Sequence, residues 1–447
     1  MSTNGLDFSI AIGGAAGQGI ATPGNIIARM FSRRGLHLYA YNAYQSIIRG
    51  GHILLTIRVR DQEVLTHGDG IDLLLCLNQD TMDRHLGILG PGSRVLYNSD
   101  KVEPGEVPDG VVLCPMPVAE LVGDSKNRLI QNTISLGVMM SVIGAEFSML
   151  QEAMELLFKR KGADVVEENV TMARAGYDYA VANFESFPEP LPEGDKPLAM
   201  WTGNSALAMG GAAAGVKFYA AYPMSPSTGV LHWMAQHAHE LGIMVRQVED
   251  EIGVANMVIG AAHTGCRAMC ATSGGGFALM TEAIGAAAMM EIPAVFINVM
   301  RAGPSTGVPT KTEQGDLWQA LGASQGDFER FIVAPIDALD AYNCVGELFN
   351  LVDRAQCPGI IISDLLISEG TFNVDPDLVD FQPEIDRGEL LVDPSPNGNY
   401  LRYAETESGI SPRVTPGHEG FVHVVATDEH DEDGAIIRDE FTHPQKR

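Results

Sequence analysis

The stretch ESFPEPLPEGDKPLAM, from Glu185 to Met200, carries four prolines. Proline has no backbone N–H to give a ladder and pushes the residue before it out of the helical region, so no regular element can run through this stretch. A chain of 447 residues must then build separate cores on either side of it, in keeping with the roughly 150 residues of a typical domain. The predicted division is a domain over 1–185, a linker over 186–200, a second domain over 201–372 and an extended arm over 373–447.

Both sides read as α/β. On the first side DFSIAIGG alternates as a buried strand, runs into the glycine turn Gly13–Gly19 (GGAAGQG) and continues into the helical pattern IATPGNIIARMFSRRG. Apolar runs at 53–59, 73–77, 95–97 and 111–113 alternate with helical or loop segments, and helix continues to about Phe184. On the second side strands are predicted at 244–248, 267–272, 294–299 and 359–362, and the small residues of 206–215 predict a helix packed tightly on its sheet. After Gly370 the text is acidic, proline-rich and aperiodic, and DEHDED, 428–433, is predicted as a solvated loop.

Composition narrows the function classes. Hydrophobic residues at 45% can build real cores, and the net charge of −28 disfavours a nucleic-acid surface, because phosphate contacts come mainly from Lys and Arg. The six cysteines form no CxxC pair, which speaks against a disulfide framework or a cluster held by this chain. The N-terminus lacks a basic segment followed by a long apolar one, and no run of about 18 apolar residues occurs. The expectation is a soluble, reducing, cytoplasmic protein with neither a membrane nor a nucleic-acid partner.

Several motifs can carry chemistry. The spacing Gly14-x-x-Gly17-x-Gly19 departs from the dinucleotide GxGxxG, yet a strand-to-helix glycine turn can hold an anion on its N–H groups; it can equally be a turn that needs small residues. Arg49 precedes two glycines in YQSIIRGGH, where a solvent-exposed cation is the plainer reading. His67-Gly68-Asp69-Gly70, with Asn98 further on, mimics a diphosphate and Mg²⁺ motif, but it precedes a strand instead of following one and reads as a turn. Glu249, Asp250 and Glu251 open a helical pattern, where the macrodipole favours carboxylates. Glu251 lies closest to the apolar run, and a carboxylate held there would have its proton affinity raised toward acid/base work, so capping and catalysis both stand. RAGPSTGVPTKTEQGDL follows a buried strand and sets Arg301 beside hydroxyls, a combination suited to a carboxylate or phosphate. YPMSPSTG also follows an apolar strand, placing a second hydroxyl-rich loop on the same sheet edge, where α/β folds hold ligands.

Taken in order, GNSALAMG, YPMSPSTG, VEDEIGVANMVIGA, ATSGGGFALMTE, RAGPSTGVPT and YLRYAETESGISPR resemble the α subunit of 2-oxoacid:ferredoxin oxidoreductases. GGAAGQG and IIRGGH make the first 185 residues similar to the γ domain fused ahead of it, an arrangement most like enzymes of the 2-oxoglutarate type. The resemblance implies a Rossmann-like γ domain, then a thiamine-diphosphate-enzyme pyrimidine-binding α/β domain. It implies CoA-dependent oxidative decarboxylation of a 2-oxoacid, best matched by 2-oxoglutarate going to succinyl-CoA and CO₂ with ferredoxin as acceptor, or the reverse carboxylation.

By the same resemblance Glu251 would hydrogen-bond the aminopyrimidine of thiamine diphosphate, with Tyr222 and Pro223 beside the cofactor. Arg301, Ser225, Thr306 and Thr310 would surround the 2-oxoacid carboxylate, and Gly17, Gly19 and Arg49 would line the same cavity. Mg²⁺, the diphosphate motif and the iron-sulfur cluster would sit on a β subunit, without which this chain would be inactive; a dimer of γα-β heterodimers is implied. Two departures stand out: Ser225 where the family commonly has Thr, and an end at Arg447 where relatives usually continue into another α/β domain. A non-oxidative thiamine enzyme and a scaffolding subunit that kept the fold are the competing expectations.

Overall fold

The computed structural model describes residues 5–45, 51–123, 130–188, 191–391 and 400–436. They form two compact units, residues 1–201 with 370–378, and residues 202–369 with 379–447.

In the first unit β1 (Asp7–Ala15) passes through the glycine turn to α1 (Ala21–Arg33), followed by β2 (His37–Ala43), β3 (His52–Arg60), β4 (Leu73–Cys76), α2 (Gln79–His85), β5 (Arg94–Asn98) and β6 (Val112–Met116). Then come α3 (Val118–Val122), α4 (Ile130–Val142), α5 (Phe147–Phe158), α6 (Ala163–Asn183) and β7 (Ala199–Thr202). β1 lies at the switch in a mixed sheet of order β6-β5-β4-β1-β3-β2-β14-β7, in which β14 is the later strand Thr371–Val374. It pairs parallel to β4 and antiparallel to β3, in register Ala15 to His52. The parallel half is thus Rossmann-like, with its strand ends on one edge. α1 buries Ile26, Ile27, Met30 and Phe31, a helical stripe, against this sheet. α4 and α6 approach so closely that a Cβ on Gly137 would lie 1.9 Å from the Ala173 carbonyl and one on Gly176 2.2 Å from that of Ile134.

The second unit contains α7 (Gly203–Ala213), β8 (Val216–Ala221), α8 (Thr228–Leu241), β9 (Met244–Gln247), α9 (Glu251–His263), β10 (Arg267–Thr272), α10 (Gly274–Met289) and β11 (Val295–Met300). It continues with α11 (Leu317–Leu321), β12 (Phe331–Val333), α12 (Ala338–Ala355), β13 (Gly359–Asp364) and α13 (Leu365–Glu369). Its sheet, β12-β13-β11-β10-β8-β9, is parallel throughout. Helices cover both faces of such a sheet, which is why β10, β11 and β13 are buried at every residue. The small residues of α7 do pack closely, but chiefly on a helix: a Cβ on Gly210 would meet the Tyr342 carbonyl of α12 at 2.2 Å, while Gly211 faces Met269 of β10.

The C-terminal region departs from the expected arm over 373–447. β14 (Thr371–Val374) straddles the predicted boundary at 372 and returns to the first unit's sheet, antiparallel to β2. Residues 380 and 381 lie against Tyr342 of α12, and the described residues from 384 on pack at the amino edge of the second unit's sheet, with only β15 (Leu390–Leu391) and β16 (Arg413–Val414) regular among them. Arg402, Tyr403 and Arg413 are buried there. The acidic loop 428–433 is not wholly solvated either, since His430 is buried, stacked on Tyr403 at 3.7 Å with Nε2 3.1 Å from the Met289 carbonyl. Single long-range anchors in irregular chain leave no period to read.

Candidate active site

In the second unit every strand ends on one edge, and the loops that follow carry the residues nominated from sequence. The three consecutive carboxylates opening α9 separate in role. Asp250 is the N-cap, at φ 72, and its carboxylate accepts the Gly253 N–H at 2.8 Å. Glu249 and Asp250 are exposed, whereas Glu251 is 4% exposed. Its Oε1 is buried without a hydrogen-bond partner. Capping therefore falls to Asp250, and burial to its neighbour Glu251. A carboxylate at the first position of one helix is favoured by that helix's dipole, which lets Glu251 be buried with no cation paired to it among the described residues.

Glu251 turns toward the start of α10. A Cβ on Gly276 would lie 2.7 Å from Glu251 Oε1 and 2.1 Å from Thr272 Oγ1, so the glycine leaves the space those groups fill. The Thr272 hydroxyl donates to the Met224 sulfur at 3.9 Å, joining β10 to the loop after β8. That loop holds Tyr222, half-buried, Pro223, exposed, and Ser225. Arg301, at the end of β11, donates through Nη1 to the Ser225 carbonyl at 2.6 Å and through Nη2 to the Thr306 carbonyl at 3.2 Å. Burial draws its guanidinium below the ordinary arginine value. The loop it closes is tied by the Ala302–Val308 bridge, with Thr310 buried and Thr306 exposed.

The structure thus brings Glu251, Ser225, Arg301 and Thr306 into one chain of contacts on the carboxyl edge. Arg301 reaches its neighbours through backbone carbonyls, and the hydroxyls of Ser225 and Thr306 are not its partners in these bonds. Thr272 and Gly276 were not nominated from sequence; ATSGGG, a glycine turn at a strand end, was the available signal. Asn204 was also missed. Buried at the start of α7, it donates to the Pro226 carbonyl at 2.8 Å and leaves Oδ1 without a partner.

The first unit has its own crevice on the carboxyl edge of β1, β4, β5 and β6, about 450 Å³ in volume and lined by Gly17, Gln18, Asn98, Lys101, Gln131 and Asn132 among others. Gly17 and Gly19 adopt φ of 92° and 78°, a region that L side chains rarely enter, so the turn requires glycine there. Gln18 locks the turn: its Oε1 accepts the Ala15 N–H at 2.6 Å, and its carbonyl accepts Asn132 Nδ2 at 2.7 Å. The lining is rich in carboxamides and holds no carboxylate. Arg49 lies outside the described residues. Asp69, of the motif that mimics a diphosphate site, is exposed in the loop before β4.

Among the described residues no helix is long and apolar enough to cross a membrane. Residues 209–442 match the family model for pyruvate flavodoxin/ferredoxin oxidoreductase, thiamine diphosphate-binding, and residues 9–179 that for pyruvate ferredoxin/flavodoxin oxidoreductase. The chain is 28% identical to 2-oxoacid:ferredoxin oxidoreductase 2, subunit alpha, of Aeropyrum pernix, over 97% of this chain and 76% of that one. It is 30% identical to the 2-oxoglutarate oxidoreductase subunit KorA of Mycobacterium tuberculosis, over 81% and 61% respectively. Among solved structures, 2-oxoglutarate:ferredoxin oxidoreductase from Magnetococcus marinus, with 2-oxoglutarate, coenzyme A and succinyl-CoA bound, superposes with a TM-score of 0.92 at 30% identity, over 98% of this chain and 76% of that one. With a buried carboxylate open on one unit, a glycine-turn crevice on the other and both halves matched, the chain belongs to the 2-oxoacid:ferredoxin oxidoreductase family, as a subunit carrying its thiamine-diphosphate-binding domain.

Proposed function

We propose that this chain is the γα subunit of a 2-oxoglutarate:ferredoxin oxidoreductase, forming succinyl-CoA and CO₂ with ferredoxin as electron acceptor. The observation that carries the reading is Glu251: a carboxylate 4% exposed, on the ligand-binding edge of a parallel sheet, with one oxygen unpartnered. A buried polar atom left unpaired is destabilising unless a ligand completes it. That fits a ring nitrogen of thiamine diphosphate, which when bound supplies a nucleophilic carbon and an electron sink for decarboxylation.

Glu251 holds the proton exchanged at that ring nitrogen through Oε1. Arg301 keeps the two hydroxyl loops together and offers its remaining N–H groups to the 2-oxoacid carboxylate, with Ser225, Thr306 and Thr310 alongside; Tyr222 and Pro223 shape the wall next to the cofactor. The first unit's crevice, with Gly17, Gly19 and the carboxamides, takes part of CoA, and Arg49 belongs to the same reading. A β subunit contributes Mg²⁺, the diphosphate site and the iron-sulfur cluster, in a dimer of γα-β heterodimers acting in the cytoplasm.

The test is CoA-dependent viologen reduction by the copurified complex with 2-oxoglutarate, pyruvate and a branched-chain 2-oxoacid, for the wild type and Glu251→Gln. The expected result is activity centred on 2-oxoglutarate that the variant loses by at least about 100-fold, the lower range for general acid–base catalysis. Wild-type turnover by the variant would overturn the role of Glu251 and favour a scaffolding subunit. A preference for pyruvate would overturn the substrate.

A further inference from the structure

Three glycines in succession, Gly274, Gly275 and Gly276, occupy the first turn of the 16-residue helix α10. None has a positive φ, so backbone conformation does not demand them. Glycine is about 1 kcal/mol worse than alanine inside a helix, and three together need another reason. Space supplies it, unequally. A Cβ on Gly275 would meet only the Ser305 carbonyl, at 3.8 Å, an ordinary contact. A Cβ on Gly276 would meet Thr272 Oγ1 at 2.1 Å, Glu251 Oε1 at 2.7 Å and Glu251 Cγ at 2.9 Å.

Resting on the reading of Glu251 above, we propose that Gly276 is a positioning residue for that carboxylate. Its missing side chain lets the N-terminal turn of α10 close on Glu251 from one side while the residue's own helix, α9, holds it from the other. Oε1 thereby lies between two helix N-termini, where partial positive charge offsets the absence of a paired cation. A methyl group at position 276 would meet the Thr272 hydroxyl first, at 2.1 Å, and that hydroxyl is engaged with the Met224 sulfur; Glu251, met at 2.7 Å at Oε1 and 2.9 Å at Cγ, is displaced by the same methyl group.

The experiment compares Gly276→Ala, Gly275→Ala, Gly276→Ala/Thr272→Ala and Glu251→Gln in the copurified complex. Gly276→Ala is expected to lower kcat about 100-fold, the penalty of misplacing a catalytic group by around an ångström. KM for the 2-oxoacid should stay within about twofold, and thiamine diphosphate titrated into the cofactor-stripped complex should bind more weakly. Gly275→Ala, one residue away in the same turn, should stay within about twofold of wild type in every parameter. The double variant relieves the closest clash and should remain slow.

Near-wild-type turnover by Gly276→Ala beside an inactive Glu251→Gln overturns the positioning role alone. Recovery in the double variant overturns it too, because Thr272 would then be the whole obstacle. An active Glu251→Gln overturns the underlying reading of the site. If Gly276→Ala does not assemble, melting of Gly276→Ala in wild-type and Glu251→Ala backgrounds decides: a smaller loss without Glu251 is expected, and equal losses overturn the proposal.

Discussion

Two buried carboxylates in the second unit sit on opposite edges of one parallel sheet and are treated in opposite ways. Asp353, 2% exposed at the amino edge, accepts Arg267 Nε at 2.9 Å and Arg387 Nε at 2.9 Å on Oδ2, and Arg413 Nη2 at 3.3 Å on Oδ1. Arg267 also donates to the carbonyls of Ala214 and Asp386 and to Asn350. Burial draws Arg413 down to about 10, with Asp353 working against that fall. Glu251, at the carboxyl edge, has neither cation nor hydrogen-bond partner for Oε1. A buried carboxylate surrounded by guanidinium groups fastens chain to chain; on the proposed reading, one with an unpartnered oxygen serves a ligand. The amino edge fastens the C-terminal segment, and the proposed chemistry belongs to the carboxyl edge.

The largest stability effect that can break this contrast lies at Asp353. Asp353→Ala leaves three guanidinium groups without their shared counter-ion, and removing one partner of a buried ionic cluster costs about 3 to 5 kcal/mol. Urea unfolding of the complex should show that loss in the second unit's transition, with the C-terminal segment becoming cleavable by protease under otherwise native conditions. A change below about 1 kcal/mol, the range of a surface pair, would mean that the cluster does not fasten this segment.

Much of the carboxyl edge was legible because its loops are written in local text. Strand, then glycine or hydroxyl loop, then helix recurs at YPMSPSTG, ATSGGG and RAGPSTG, and parallel topology puts all such loops on one edge. Glu251 was singled out as the carboxylate closest to the apolar run; what could not be read was that Asp250 takes the cap, since that depends on its φ, and that Gly276 leaves the space beside Glu251. The amino edge was hidden almost entirely. Arg267 lies 86 residues from Asp353, and Arg413 lies 60 from it; no period links them. The return of β14 to the first unit's sheet was hidden for the same reason, because a four-residue strand in aperiodic text declares itself only by its neighbour.

Arg301 is the next point of leverage, because it shares features of both edges: it fastens two loops through their carbonyls and, on the proposed reading, meets the 2-oxoacid carboxylate. Losing a charged hydrogen-bond partner costs about 1.5 to 3 kcal/mol, so Arg301→Ala should raise KM for the 2-oxoacid roughly 10- to 100-fold. Arg301→Lys keeps the charge but not the fork that reaches two carbonyls, and should recover only part of the loss. Unchanged KM in the alanine variant would reduce Arg301 to a loop clamp. Smaller still is the stability change expected of Glu251→Gln. The exchange is nearly isosteric and Oε1 has no hydrogen-bond partner to lose, so the variant should melt close to wild type while turnover collapses. A large drop in melting temperature would show that Glu251 has partners in the assembled enzyme that stabilise its charge.

The first unit offers a third treatment of titratable groups, here half-buried, and the gentlest prediction. His52 and His85 face each other with Nε2 atoms 2.9 Å apart, and His52 Nδ1 lies 3.4 Å from Asp80 Oδ2. Burial holds both imidazoles below their ordinary value; Arg84 pushes the same way and Asp80 opposes, and His85 is lowered further by His52. The pair is therefore neither fastened by guanidinium groups like Asp353 nor left without a hydrogen-bond partner like Glu251 Oε1; the two rings meet in one hydrogen bond, and burial works against protonating them. The sign of the pH effect follows. Above the ordinary imidazole value of about 6.5 folded and unfolded chains carry the same protons there, and the pair adds no slope. Below it the unfolded chain takes up protons that the folded one refuses, so stability falls as pH falls, by at most about 1.4 kcal/mol per pH unit for each proton. His85→Gln retains a polar side chain and removes one titrating group, so it should flatten the decline of unfolding free energy between pH 7 and 5. An identical slope in wild type and variant would mean that the imidazoles accept protons in the folded protein, and that this pair belongs with the open groups of the carboxyl edge.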